Sequence, residues 1–300
     1  MGISRKQALD CFRSDDLVGI GMEADAVRRR LHPEGVVSYV IERRIDLAAL
    51  AGRSDTETLE GVCGAIGESV EMGATGVHLV GLGVDGEGIL ALLRSIRRRY
   101  PAVWIEGLTA ADIGSIAGGW EIGLRDTLAR LWDAGLDTIA GDGADLREGV
   151  EAWSAVHRAA HQAGMRTEAE MVFGAGKTAE QQVEFLEAVR GLEEETGGFG
   201  AFVPVAADAP GGRELDGVTA VERLKTLAVA RMFLDNVENV QAIGAGNGLK
   251  VLQMGLRFGA NDVGPVRAQI GSEEDVRRVI RDAGFRPAER DMAYRAMMLS

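Results

Sequence analysis

Glu168 and Glu170 alternate within Arg166-Thr-Glu-Ala-Glu-Met-Val-Phe173, a stretch that reads as a β-strand closed by Gly174. A side-chain period of two puts both carboxylates on one face and Met171 on the other. Glu106 stands in a second such stretch, Val103-Trp-Ile-Glu-Gly-Leu108, and Asp142 follows a third, Asp137-Thr-Ile-Ala140. These acids are expected in the C-terminal half of their strands or just beyond. If they turn toward one partly dry interior, crowding of like charges raises at least one pKa. Such a group serves as a general acid or base, or the set offers oxygen ligands to a divalent cation. The competing reading is a hydrogen-bonded polar interior in which Glu106 or Glu168 pairs with an arginine such as Arg43 or Arg44.

Other constellations carry weaker chemistry. His78 lies mid-strand among apolar neighbours, where a satisfied core histidine outweighs a ligand. His157 and His161 are four apart on a helix, a spacing that can hold zinc, but no companion set completes a site. Gly244-Ala-Gly-Asn-Gly248 follows a strand and opens a helix; it is either a tight turn or a phosphate cradle built by Gly244, Gly246 and Asn247. Gly81-Leu-Gly-Val-Asp-Gly86 formally matches a dinucleotide fingerprint, with Glu106 about twenty residues on. It sits on the second strand of the chain, which argues against a dinucleotide-binding fold.

The elements that must position these residues come from alternation. The 300 residues are 46% hydrophobic, enough for a full core. Val36, Val37, Tyr39, Val40, Ile41 and Ile45 mark a first strand over Gly35–Asp46. Strands are then expected at 76–81, 103–108, 137–140, 166–173, 199–205, 240–243 and 261–266, with helices between them. Two short helices over residues 4–31 precede the first strand, the second capped from Ser14-Asp15-Asp16 and carrying Arg28-Arg-Arg30 at its end. Eight strands alternating with helices fit a single-domain α/β fold, a (β/α)8 TIM-type barrel. The division expected is a helical leader at 1–34, the barrel at 35–270 and a helical tail at 271–300.

Forty-six acidic against 33 basic side chains give a formal charge of −13, which argues against nucleic-acid and anionic-membrane partners. No run approaches the ~18 apolar residues of a membrane span. The two cysteines, Cys11 and Cys63, suggest no disulfide framework, so a soluble protein of the reducing cytoplasm is expected. Cys63, on the apolar side of a helical pattern, reads as a buried structural thiol.

Longer blocks carry a resemblance. Arg28-Arg-Arg-Leu-His-Pro-Glu-Gly35 runs into the first strand; Glu195-Thr-Gly-Gly-Phe199 precedes Ala201-Phe202 and Pro204; Leu224-Lys-Thr-Leu-Ala-Val-Ala-Arg231, Leu234-Asp-Asn236, Gly248-Leu-Lys250 and Phe258-Gly-Ala-Asn-Asp262 follow in order. Together they resemble a radical S-adenosylmethionine family: the aminofutalosine and cyclic dehypoxanthine futalosine synthases of menaquinone biosynthesis and the deazaflavin (FO) synthase modules. That family continues its first strand into a Cys-x3-Cys-x2-Cys loop that holds a [4Fe–4S] cluster. Here the corresponding loop, Leu50-Ala-Gly-Arg-Ser-Asp-Thr-Glu57, contains no cysteine. Two cysteines in the chain cannot supply three ligands. The family's adenosylmethionine-binding Gly-Gly-Gly-Ala-Glu loop reads Gly141-Asp142-Gly143-Ala144-Asp145, which makes Asp142 and Asp145 ligand-binding candidates. A family glycine pair beside the same site corresponds to Gly81 and Gly83.

The resemblance implies a cluster-less homologue that binds a nucleoside-like or adenosylmethionine-like small molecule, with any chemistry polar, acid–base or divalent-metal assisted, and carried by Glu106, Glu168, Glu170 and Asp142. S-adenosylmethionine or a divalent cation is the cofactor to test. The alternative is a catalytically silent partner or regulator, a homo- or hetero-oligomer with an intact family member.

Overall fold

The computed structural model describes residues 2–47, 55–81, 85–141, 150–174, 176–207, 217–242, 248–266 and 271–299. Two helices come first. α1 (Arg5–Arg13) starts in a capping box of Ser4 and Gln7, and α2 (Leu17–Leu31) is capped by Asp16, whose side chain accepts from Gly19 N at 2.8 Å. The cap therefore lies within the expected acidic run.

The expected first strand divides into β1 (Val36–Val40) and β2 (Glu42–Asp46). The break at Ile41 marks a change of partner. β1 is paired on both edges, while β2 pairs in parallel with β3 (Gly76–Val80). α3 (Asp55–Glu71) links β2 to β3, and α4 (Gly86–Arg99) links β3 to β4 (Trp104–Gly107). β2, β3 and β4 form one parallel sheet.

After α5 (Ala110–Trp120) and α6 (Leu124–Ala134), the expected strand at 137–140 shrinks to one parallel bridge, Thr138 to Glu106. Backbone bonds still join it to β4 and the residue after it: Asp137 N donates to Ile105 O, Gly107 N to Thr138 O and Ala140 N to Leu108 O. The Asp137 carboxylate adds to them, accepting from Ile105 N at 2.7 Å and from Arg97 at 2.5 Å.

α7 (Val150–Gln162) leads to the second parallel sheet: β5 (Thr167–Phe173), β6 (Phe199–Ala206) after α8 (Ala179–Thr196), and β7 (Asn239–Val240) after α9 (Ala220–Phe233). α10 (Gly248–Arg257) precedes β8 (Asp262–Pro265), which pairs in parallel with β1 and is bridged to the end of β7 through Gln241 and Asp262. Along β5, Ala169, Met171 and Phe173 are buried and the residues between them are half-buried, so the two faces separate as period two requires.

The tail differs from the helical one expected. α11 (Glu273–Asp282) forms, but β9 (Arg286–Arg290) then pairs in parallel with β1, and β10 (Ala296–Leu299) returns antiparallel to it. Arg286-Pro-Ala-Glu-Arg290 has no apolar alternation to announce a strand. Its pairing rests on the buried Pro287, Ala288 and Arg290, the last neutralised by a residue far along the chain.

The described strands thus fall into three sheets, an α/β arrangement whose parallel ladders are not continuous. One apolar cluster runs from Ala8 to Phe285 and packs helices against all three sheets. Among the described residues, no helix is long and apolar enough to cross a membrane.

Candidate functional site

The inward face of the strands encloses a cavity whose lining comes from every sheet. Glu42 of β2, His78 of β3, Glu106 of β4, Glu168 and Glu170 of β5 and Arg290 of β9 all border it. The space measures about 470 Å³ when the solvent open to it is included. The three expected catalytic carboxylates therefore share one cavity, with Met171 buried on the far side of β5.

Their depth differs from expectation. β5 pairs with β6 as far as Phe173 and Ala206, so Glu168 is only its second residue and lies toward the N-terminal end. Glu170 is central, and Glu106 is the third of four residues in β4. The set lines the interior rather than the rim. Neither arginine takes the pairing weighed for it: Arg43 faces Glu68 at 3.8 Å, and Arg44 is exposed.

His78 is not a core histidine. It is paired in register with Glu106 on the neighbouring strand, its Nδ1 3.9 Å from the Glu106 carboxylate, and it borders the cavity. Gly81 ends β3 at φ +69°, exposed, in the left-handed region glycine tolerates. Asp142, Asp145, Gly83, Gly244, Gly246 and Asn247 lie outside the described residues, as does the loop at 48–54. Among the described residues, no group of three or more His, Cys, Asp or Glu is arranged to hold a metal ion.

Several site residues carry no local signal in the sequence. Gln241 Nε2 donates to Glu168 Oε1 at 3.1 Å and to the Tyr294 hydroxyl at 2.6 Å, and that hydroxyl donates to Glu168 Oε1. Arg290 grips Asp262 with two nitrogens at 2.6 and 3.1 Å, and its guanidinium lies 3.7 Å from the centre of the Tyr294 ring. Asp262 is 0% and Arg290 2% exposed. Asp262 also accepts from Ser38 Oγ and from Gly264 N. Burial works against the Arg290 charge, but Asp262, aided by Tyr294 and Glu168, holds its pKa above the ordinary arginine value. Burial first, with Glu168 adding, pushes the Tyr294 phenol well above its usual 10 despite the opposing pull of Arg290.

The remaining candidates are structural. His157 is 0% exposed, and its Nδ1 lies 2.8 Å from Thr167 Oγ1, to which His161 Nε2 also approaches at 2.9 Å. Burial, then the neighbouring His161, lowers His157 to about 3; burial, then Arg166, lowers His161 to about 4. Cys63 is buried on α3, as expected, and Cys11 is half-buried on α1 with its thiol raised chiefly by burial.

Comparison with known proteins shows what the chain is similar to. Residues 197–300 match the family described as CofH/MqnC C-terminal region. The chain is 29% identical to a cyclic dehypoxanthine futalosine synthase of Streptomyces coelicolor, over 99% of this chain and 86% of that one. It is 32% identical to a 5-amino-6-(D-ribitylamino)uracil–L-tyrosine 4-hydroxyphenyl transferase of Methanothermobacter thermautotrophicus, over 76% of this chain and 72% of that one. Among solved structures, methylornithine synthase superposes with a TM-score of 0.64 at 14% identity, covering 96% of this chain and 95% of that one, a likeness of fold.

Proposed function

The chain belongs to the radical S-adenosylmethionine family of the futalosine and deazaflavin (FO) synthases, and from that membership we infer that it binds a nucleoside-like small molecule in the central cavity without an iron–sulfur cluster. The observation that carries this reading is the convergence of Glu106, Glu168 and Glu170, from two strands of different sheets, on one cavity. Carboxylates at that density accept hydrogen bonds from ribose hydroxyls and exocyclic amines, or face a cationic sulfonium. Any reaction there is polar, by acid–base or divalent-metal-assisted chemistry.

A [4Fe–4S] cluster does not fit the donors this chain offers. It needs three thiolates from one motif, and the two cysteines stand apart on α1 and α3, Cys63 being 1% exposed. Free cysteines on both helices also suit the reducing cytoplasm.

The three sheets are read as arcs of one (β/α)8 barrel. Support comes from the bridges Glu106 to Thr138 and Gln241 to Asp262, from the bond Glu170 N to Gly141 O at 2.9 Å, and from β2 continuing β1. Residues 1–34 would then be the leader, 35–270 the barrel, and 271–300 a tail that adds β9 at the barrel's base.

A thermal-shift titration with S-adenosylmethionine, adenosine, Mg²⁺, Mn²⁺ and Zn²⁺ tests the ligand reading. A nucleoside-type ligand at about a hundred times its dissociation constant adds ~2.7 kcal/mol, on the order of 4 °C for a chain of this length. The shift is expected to disappear in Glu168→Gln and Glu170→Gln. No shift with any compound, or a shift indifferent to both substitutions, sinks the reading.

One observation favours a second reading, the silent partner. Val18 and Met22, one turn apart on α2, are 69% and 67% exposed. Co-purification with an intact family member that fails for Met22→Glu would support it.

A further inference from the structure

Glu168 is approached by a residue that the strand pattern does not contain. After β9 the chain turns through Asp291–Tyr294 and crosses beneath the parallel strands. Met292 reaches β3 and Tyr294 reaches β6, both at positions where the strand carries glycine. A Cβ on Gly76 would stand 2.4 Å from Met292 Cγ, and one on Gly200 3.0 Å from the Tyr294 ring. The strands are built to admit this segment. Tyr294 itself sits at φ +62°, a left-handed conformation uncommon outside glycine and kept only where surrounding contacts hold it.

Those contacts lead to the carboxylate. Arg290 covers one side of the ring, Gln241 donates to the hydroxyl, and the hydroxyl donates to Glu168. Glu168 borders the central cavity and also a smaller space that Met292, Ala293 and Tyr294 line. A long carboxylate side chain between two spaces has several rotamers available, and two donors meeting at Oε1 select one.

We propose that Tyr294 is a positioning residue for Glu168: borne on the segment that closes the strands' base, its hydroxyl holds the carboxylate, together with Gln241, in the place from which Glu168 meets a ligand in the central cavity. The phenol, pushed up chiefly by burial, remains a donor throughout the range in which the protein is handled.

Because this rests on the central cavity being the ligand site, the test has an arm that needs no ligand. The full chain is labelled with ¹³Cδ-glutamate, and the Glu168 resonance is identified by its loss in Glu168→Gln. Removing a donor to the charged form disfavours ionisation. In Tyr294→Phe, which keeps the ring over Arg290, the Glu168 midpoint is expected to rise by about one pH unit, a tenfold tighter proton. Gln241→Met is expected to move it the same way, and it serves alone if Tyr294→Phe does not fold. An unmoved midpoint in variants that merely melt earlier means packing alone and overturns the proposal. In the ligand arm, S-adenosylmethionine is the thermal-shift probe. Stabilisation lost in Glu168→Gln but fully kept in Tyr294→Phe overturns positioning while leaving the ligand site standing. No stabilisation of the wild-type chain removes the ligand site, and the midpoint still decides whether Tyr294 holds Glu168.

Discussion

His157 and His161 meet at one hydroxyl, Thr167 Oγ1, and both are held neutral by burial. Their folded pKa values, about 3 and about 4, lie below the ordinary histidine value of 6.5. The unfolded chain therefore binds protons that the folded chain refuses. Stability from this pair is complete above pH 6.5 and declines as pH falls toward the folded values. Between pH 7.5 and 5.5 each histidine accounts for a loss of ~1.4 kcal/mol, about 3 kcal/mol for the pair. Urea denaturation at the two pH values should show that fall, and His157→Asn should remove about half of it. An unchanged difference in the variant would show that other groups carry the acid sensitivity. The helical i, i+4 spacing was legible in the sequence, and so was its structural use. The shared hydroxyl was not, because Thr167 opens a different element.

At the scale of elements, the legible and the hidden parts of the site divide by whether a period announces them. Glu168 and Glu170 could be read from period two alone, and β5 keeps that separation over its whole length. β9 could not be read, since a charged segment containing proline looks like a surface connection until Arg290 meets Asp262. The depth of Glu168 was equally hidden: where a strand begins relative to its neighbours depends on pairing, not on the strand's own residues. Gly76 and Gly200, unremarkable in the sequence, are the two strand positions that the tail's turn requires. Gly200→Val tests that role. Valine suits a strand, so a purely local view expects stabilisation. Its side chain instead collides with the Tyr294 ring, and overpacking of this kind costs ~1–3 kcal/mol. Limited trypsin digestion should then cut faster after Arg290 and Arg295, the first of which is buried in the wild-type chain. Unchanged cleavage at both sites would mean that the tail does not depend on Gly200.

Across the whole molecule, a framework shared with a radical S-adenosylmethionine family surrounds an interior lined by carboxylates. The blocks that carry family membership, such as Glu195–Phe199 and Leu224–Arg231, build the α8–β6 junction and α9. β6 sits at the middle of one parallel sheet, and α9 packs closely against α2, so these blocks hold the scaffold together. The interior carries Glu42, Glu106, Glu168 and Glu170, with His78 and Arg290 on the same cavity. Cluster-dependent cleavage of adenosylmethionine would need three thiolates placed together, and neither the number nor the placement of cysteines supplies them. After anaerobic reconstitution with iron and sulfide, followed by desalting, the chain should hold no stoichiometric iron and show no persistent visible charge-transfer band. Iron retained at about four atoms per chain, together with such a band, would show that ligands other than a three-cysteine loop assemble the cluster. In that event the polar reading of the interior would give way to the family's own chemistry.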